Sequence, residues 1–152
     1  MKTFLLAWNP VKWKWDDLDE NIEELHRTGH AYHRWSIASY KKAQIGDRVF
    51  LMRLGKEPKG LMASGFITTP PFITEHWGDK NKLTHRVVID FDVILHPEKE
   101  SILGLDILNL GNLSAVNWTP QSSGIEIISD MADELEKVWS DFLLNGRKYT
   151  EE

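Results

Sequence analysis

The sequence predicts an α+β domain built on a curled sheet or small barrel, with a helix near each end. Three observations carry this prediction. Several short apolar runs are separated by Gly, Pro and Asn, as expected for strands joined by turns. Apolar residues recur with clear helical spacing only near the two ends of the chain. The sequence has no repeat, linker or low-complexity tract, so residues 1–152 are predicted to form a single domain.

The predicted strands are short apolar segments bounded by turn residues. They cover residues 3–7, 48–54, 61–68, 86–95 and 124–128. The second and third of these are joined by a loop bounded by Gly55 and Gly60, and we expect them to pair as a hairpin. Gly65 indicates a bulge or a close backbone approach within the third strand. No element is assigned to residues 102–113.

Both predicted helices rest on apolar residues spaced by three or four positions. The first covers about residues 17–26, beginning with Asp17-Leu-Asp-Glu20, which resembles a capping box, and ending at Gly29. The second begins at Ser129 or Asp130 and ends at Gly146. Its apolar stripe consists of Met131, Leu135, Val138, Trp139 and Phe142.

Composition limits the class of protein. The chain has no cysteine, which excludes disulfides, thiolate zinc sites and a cysteine nucleophile. No apolar run approaches the roughly 20 residues of a membrane span. The apolar start at residues 3–7 is interrupted too early for a signal peptide. We therefore expect a cytoplasmic protein without a membrane partner.

Charge is unevenly distributed along the chain. The net charge is −5, but residues 34–60 contain seven Lys or Arg against two Asp or Glu, which is +5 and leaves −10 for the rest. A basic segment in an acidic chain is typical of one phosphate-facing surface. A solvated lysine-rich loop explains it almost equally well. The candidate phosphate-binding residues are Lys41, Lys42, Arg53 and Lys59.

Three of the seven tryptophans lie beside polar residues and outside the helical stripes. They occur in Trp35-Ser36, in His76-Trp77 and in Trp118-Thr-Pro-Gln-Ser-Ser-Gly124. An indole with a hydrogen-bonding neighbour suits a pocket that stacks on a planar ligand and reads its edge. Each tryptophan alone is about as readily explained by packing, and it is the recurrence that favours a nucleobase pocket.

The histidines and carboxylates do not form a convincing metal or catalytic set. His26, His30 and His33 have helical spacing, but Gly29 is predicted to end the helix before the second of them. Asp90 and Asp92 share a strand face, which alternation alone explains. No nucleophile motif, P-loop or dinucleotide fingerprint is present. We therefore predict no catalytic residue, metal or cofactor, and no enzymatic activity.

The order of the motifs resembles an EVE domain of the PUA-like superfamily, which includes YTH and ASCH domains. The resemblance covers nearly the whole chain. The strings that carry it are Ala7-Trp-Asn-Pro10, Arg34-Trp-Ser36, Gly46-Asp-Arg-Val-Phe-Leu-Met-Arg-Leu-Gly55, Lys59-Gly-Leu-Met-Ala-Ser-Gly65, Pro70-Pro71, His76-Trp77, Val88-Ile-Asp-Phe-Asp92 and Trp118-Thr-Pro-Gln-Ser-Ser-Gly124. It implies a small open β-barrel of about five to six strands flanked by helices.

The resemblance also implies a binding site. By analogy with YTH domains, Trp35 and Trp77 would form an aromatic cage, and Asn9 and Ser36 would bind the base edge. The remaining pocket residues would be Trp8, His76, Trp118, Gln121 and Ser123.

The implied function is a reader of a modified base, such as methylated cytosine or adenine in DNA, in a flipped or single-stranded nucleotide. EVE-type modules accompany HNH nucleases or McrB-type proteins in modification-dependent restriction, so a nuclease or NTPase effector is an expected partner. Two alternatives stay open. One is an RNA-binding PUA-like module that recognises a modified RNA base, and the other is a small ASCH-like enzyme acting on nucleotides.

Overall fold

The computed structural model describes residues 1–76 and 79–146, and within them the predicted α+β class is confirmed. The strands are β1 (Thr3–Trp8), β2 (Ala31–Ser36), β3 (Arg48–Arg53), β4 (Gly60–Ile67), β5 (Phe72–His76), β6 (Asp79–Ile94), β7 (Leu103–Gly104) and β8 (Ile125–Ile127). The helices are α1 (Leu18–Thr28), α2 (Leu105–Leu108) and α3 (Ser129–Asp141). A 3-10 turn at Gly111–Ala115 precedes β8, and a π-helical turn at Phe142–Gly146 follows α3.

The strands of the described residues form one curled, open sheet in the order β2-β6-β4-β3-β1-β8, with β5 added to β6 and β7 to β4. All pairings are antiparallel except β1 with β3. Strands β1 and β3 are almost entirely buried, which explains why both read as continuous apolar runs. Because they are parallel, the chain between them must cross over, and this crossover carries α1 and β2.

The first helix extends two residues beyond its predicted end. Gly29 ends it with φ 82°, a left-handed conformation in which glycine is favoured, and its N–H donates to the Leu25 carbonyl. Asp17 precedes the helix but makes no side-chain cap bond, so the capping-box interpretation was wrong. The buried side of the helix rests on Leu18, Asn21 and Leu25.

The predicted hairpin is confirmed as β3 and β4, and the role of Gly65 is confirmed with it. The β4–β6 register shifts between Ser64 and Gly65, and a Cβ at Gly65 would lie 2.5 Å from the Asp90 carbonyl oxygen. Strand β6 starts at Asp79, seven residues earlier than predicted, because its first half pairs with β5 outside the main path. Three strands that were not predicted, β2, β5 and the two-residue β7, raise the strand count from five to eight among the described residues.

A polar network fastens α3 to the sheet. Arg48, almost fully buried, donates from Nη1 to Asp92 Oδ2 at 2.8 Å and from Nε to Glu136 Oε2 at 3.0 Å. Trp139 Nε1 donates to Ser64 Oγ at 3.0 Å, and Ser64 in turn donates to Asp92 Oδ1 at 2.5 Å. Because Asp92 is held by two partners here, its polar position on β6 has a structural explanation.

Among the described residues, no helix is long and apolar enough to cross a membrane.

Candidate nucleic-acid interface

A cavity of about 1110 Å³ opens where the ends of β1 and β2 meet the first half of β6. The loop before β8, residues 120–123, closes the remaining side of the cavity. Its lining consists of residues 7–9, 12–13, 35–38, 40, 54, 82–86 and 120–123. Segments from both halves of the sequence therefore contribute to one concave surface.

Ser123 joins the strands at the floor of this cavity. Its Oγ accepts the Ala7 N–H at 3.0 Å and donates to the Ser36 carbonyl at 2.9 Å. Its own carbonyl accepts the Ala38 N–H at 2.7 Å. One short side chain and one carbonyl thus hold the end of β1, the end of β2 and the closing loop together.

Gly124 makes this close junction possible. It has φ 88°, and a Cβ at this position would lie 2.5 Å from the Ile37 Cα atom. Its N–H donates to the Leu5 carbonyl at 2.8 Å, and its carbonyl accepts the Ser39 N–H at 3.0 Å. A side chain here would meet backbone, which cannot move aside without separating β1 from the loop after β2.

Tryptophans build one wall of the cavity. Trp13 and Trp35 both line it, with ring centroids 5.2 Å apart. Trp35 is 1% exposed, so the half-buried Trp13 is the ring that presents a face to the cavity and Trp35 supports it from behind. Trp35 Nε1 donates to the Ala7 carbonyl at 3.0 Å, and Trp8 Nε1 donates to the Trp13 carbonyl at 3.2 Å. Behind them Trp15 packs edge-on to both Trp8 and Trp35. Tilted and edge-to-face contacts of this kind fix the ring planes, so the wall is preformed.

The structure brings together six of the nine predicted pocket residues. Those that line the cavity are Trp8, Asn9, Trp35, Ser36, Gln121 and Ser123. Asn9 is held in place by its own turn, because its Oδ1 accepts the Val11 N–H at 3.0 Å and its carbonyl accepts the N–H groups of Lys12 and Trp13.

The other three predicted pocket residues are not brought to the cavity by the described structure. Trp118 is 2% exposed, donates from Nε1 to the Leu113 carbonyl at 2.8 Å, and lies in the core. Its polar sequence neighbours reflect the loop around it rather than a ligand. Trp77 lies outside the described residues, as does the side chain of His76, whose backbone ends β5.

The cavity is electropositive although the chain is acidic. Lys12, Lys82 and Arg86 line it, whereas no Asp or Glu does so among the described residues. The Arg86 guanidinium donates to the Glu75 carbonyl at 3.1 Å. Burial, together with the positive charge of Arg34, lowers the pKa of Arg86 to about 10, which leaves it charged at neutral pH. Desolvated positive charge of this kind favours an anionic ligand.

The four predicted phosphate-binding residues are located elsewhere. Arg53 is 2% exposed, and its guanidinium lies over the Trp8 ring and donates to the Pro58 carbonyl at 2.9 Å. Lys42 is exposed and pairs with Glu126 at 3.3 Å, and Lys41 is exposed outside the cavity lining. Lys59 lines a second cavity of about 590 Å³, which also contains Glu57, Glu100 and Asp106.

Several residues that line the cavity were not predicted from the sequence. Trp13 reads as a packing residue in the sequence, and it both packs against Trp8 and lines the cavity. Lys12, Tyr40, Lys82, His85 and Arg86 carry no local signal that assigns them to the pocket. Alternation places Arg86 with Asp90 on the polar face of its strand, but it is 1% exposed. The missing signal is the β5–β6 arm, which brings residues 82–86 over the cavity.

The histidines considered as metal ligands are dispersed. His30 Nδ1 lies 2.8 Å from Asp90 Oδ2, while the His33 ring packs 5.4 Å from Trp15 and 5.5 Å from Trp35. In the part of the chain that the structure describes, no three His, Asp or Glu side chains are grouped as metal ligands. Burial lowers the pKa of His33 below its usual 6.5, so this ring is neutral at pH 7.

Comparison with known proteins finds likeness in fold. No protein-family model matches the sequence, and no curated protein is significantly similar to it. A hypothetical protein from Leishmania major superposes with a TM-score of 0.61 at 12% identity, over 91% of this chain and 94% of that one. Rpa0253 from Rhodopseudomonas palustris gives 0.60 at 15% identity, covering 90% and 92%.

One comparison relates the fold to a described domain. The YTH domain of Mmi1, in a complex with RNA, gives a TM-score of 0.52 at 10% identity, over 96% of this chain and 82% of that one. The chain has a YTH-like fold. The predicted small open barrel flanked by helices is thereby confirmed, while the narrower EVE assignment stays a prediction.

We predict that Gly124→Ala destabilises this YTH-like fold far more than Gly46→Ala. Both glycines have nearly the same φ, 88° and 92°, but nothing lies within 4 Å of a Cβ at Gly46. Gly46→Ala should therefore cost only the left-handed backbone term of about 1–2 kcal/mol. Gly124→Ala should add the clash with Ile37, at least about 1–3 kcal/mol. Urea unfolding of both variants measures the difference, and equal losses would contradict the proposed junction.

We also predict that the His33 ring makes the fold acid-labile. Its pKa is lower in the folded chain than the 6.5 of an unfolded one, so protonation favours unfolding. The stability that the neutral His33 ring contributes to the folded chain is fully present above about pH 6.5. It is lost as the pH falls below 6.5, by at most about 1.4 kcal/mol per pH unit.

The measurement is the free energy of unfolding at pH 7 and at pH 5. His33→Gln should show a smaller fall than the unaltered chain. The control, His26→Gln, changes an exposed histidine on α1 and should leave the fall unchanged. If His33→Gln and the unaltered chain lose the same free energy, the ring does not carry this dependence.

Proposed function

We propose that this protein binds nucleic acid and reads a modified base held in the cavity as a flipped or single-stranded nucleotide. The observation that supports this best is the combination of a tryptophan wall with three cations and no carboxylate among the described lining residues. A planar ligand with a negative charge satisfies both features, and a nucleotide has both. The acidic net charge of −5 makes this local positive surface selective rather than general.

The energetics suit an extruded base. A base inside a duplex cannot stack on Trp13, so it must first leave the stack at a cost of a few kcal/mol. Aromatic stacking contributes about 1–3 kcal/mol per base, and phosphate contacts add affinity that depends on salt. A methyl group buried against the indoles contributes about 0.8 kcal/mol. Moderate preference for a methylated base therefore needs no dedicated polar contact.

The polar groups of the cavity provide the means to orient the base. Asn9, Ser36 and Gln121 line the cavity beside the tryptophans and offer amide and hydroxyl groups to the edge of a ring. Because Asn9 is already held by its turn, it would meet the ligand with little loss of side-chain entropy.

The finer assignment is a methylated cytosine or adenine in DNA, read by an EVE-type module that acts with an HNH nuclease or McrB-type NTPase. RNA is the second candidate, and the fold shared with the Mmi1 YTH domain, which is in a complex with RNA, favours it. Both candidates use the same cavity and the same stacking physics. A comparison of matched strands decides between them.

We further propose that the chain is a reader without catalytic activity of its own. Asp92 is engaged by Arg48 and Ser64, and Asp90 by His30. Neither carboxylate lies in the cavity lining, so neither is placed as a general acid or base for a ligand there. An ASCH-like enzyme would be recognised by product formed from nucleic acid or free nucleotides with magnesium, manganese or zinc supplied in turn.

The main test is a binding panel. Matched DNA and RNA oligonucleotides carry 5-methylcytosine, 5-hydroxymethylcytosine, N6-methyladenine or no modification, and dissociation constants are measured by fluorescence anisotropy. At least one modified strand should bind more tightly than its plain counterpart. In Trp13→Ala, binding to that strand should weaken by about 1–3 kcal/mol while thermal unfolding stays cooperative. Equal binding of all modified and plain strands would exclude the reader function.

The cavity lysines should carry the salt dependence. Lys12→Gln with Lys82→Gln should lower the slope of log affinity against log salt by about 0.7 for each phosphate that the variant no longer neutralises. Modified and plain strands should be affected alike, because phosphates carry no base information. The matched control, Lys41→Gln with Lys42→Gln, removes the same charge outside the cavity and should change the slope little. If the control pair lowers the salt slope more than the cavity pair does, the phosphate-binding surface lies in residues 34–60 and not at the cavity.

A further inference from the structure

Tyr40 and His85 form a parallel ring pair at the rim of the cavity. Their ring centroids are 3.4 Å apart and their planes differ by 2°. Tyr40 comes from the turn after β2, and His85 from the β5–β6 arm. Both residues are half-buried and both line the cavity. No base fits between rings at this spacing, so a ligand can meet only the outer surface of the pair.

The backbone under both rings is fixed by hydrogen bonds. The Ile37 N–H donates to the His85 carbonyl at 3.0 Å, which ties the two segments directly. The Ser39 carbonyl accepts the N–H groups of Lys42 and Ala43, closing the turn that carries Tyr40. The pair is therefore a preformed surface, and a ligand that stacks on it would not have to order it first.

The size of the cavity exceeds the needs of one base. Pockets for drug-sized ligands measure roughly 300–1,000 Å³, and this cavity measures about 1110 Å³. The tryptophan wall of Trp13 and Trp35 occupies one part of its lining, and the Tyr40–His85 pair belongs to another. Lys82, three residues before His85 on the same arm, adds a cation to that second part.

We propose that the Tyr40–His85 pair is a second stacking position, which binds the base next to the one held at the tryptophans. This rests on the proposed function, because it needs a nucleic-acid strand in the cavity. Every base has a π-face, so the position requires a base but tolerates any sequence. The protein would thus recognise a dinucleotide step, with the modification read at one nucleotide and the strand gripped at its neighbour.

Abasic nucleotides test this without altering the protein. Short single strands carry the preferred base at the centre and an abasic residue on its 5′ side, its 3′ side or neither. One of the two flanks should prove necessary, and its abasic form should weaken binding by about 5- to 150-fold, the range for one stacked base. If neither abasic flank weakens binding more than about twofold, well below that range, the second position does not exist.

The Tyr40→Ala variant links the missing base to the platform. Its affinity for the intact strand should fall to about that of the unaltered protein for the abasic strand, and the abasic residue should then have no further effect. Tyr40→Phe keeps the ring and should retain the flank dependence. Tyr32, half-exposed and stacked on His30 outside the cavity, supplies the matched control, so Tyr32→Ala should change nothing. A full abasic penalty that persists in a folded Tyr40→Ala would overturn the assignment and leave the pair as a pin for the turn.

The proposed function is scored separately in the same experiment. If modified and plain strands bind equally, the proposed reading of a modified base is refuted. The second stacking position is then still tested by comparing plain strands with and without an abasic flank. Conversely, a retained preference for the modified strand without flank dependence refutes only the second stacking position.

Discussion

The junction at Ser123 and Gly124 is the constraint on which the cavity depends. The ends of β1 and β2 are not neighbours in the sheet, so this junction, together with the hydrogen bond from Trp35 Nε1 to the Ala7 carbonyl, sets the distance between them. The junction works because a hydroxyl side chain satisfies two backbone groups at once and the next residue has no side chain to collide with Ile37. Strand ends held at a fixed distance in turn determine where Trp35 and Asn9 stand.

Local signals in the sequence were sufficient for the elements and for part of the site. Gly29, Gly65 and the glycine-bounded loop of residues 55–60 each act within a few positions, so the helix, the bulge and the hairpin could be predicted. Trp35, Ser36 and Gln121 could also be predicted as cavity residues, because in each case a tryptophan and a polar side chain lie within a few positions of one another in the sequence. Trp118 was predicted to line the pocket but lies in the core, because polar neighbours in the sequence do not show which way a ring points.

The charge of the site could not be predicted from the chain alone. A run of basic residues in 34–60 suggested one positive face, yet Arg48 and Arg53 turn inward to carboxylates, carbonyls and rings. The cations that do reach the cavity, Lys12, Lys82 and Arg86, lie outside residues 34–60, and the β5–β6 arm brings two of them to it. The density of basic residues along the sequence therefore did not predict which cations line the cavity, because strand pairing determines which side chains reach it.

The long-range hydrogen bond between Ala7 and Ser123 has a consequence for how the chain folds. Every wall of the cavity comes from a different stretch of chain, and the junction joins Ala7 to a residue 116 positions later. Loop closures of that length are slow, and they occur only after more local contacts have formed. Because its contacts are local, the hairpin of β3 and β4 is expected to form before the cavity. A ligand that binds in the cavity therefore stabilises only molecules in which the cavity has formed.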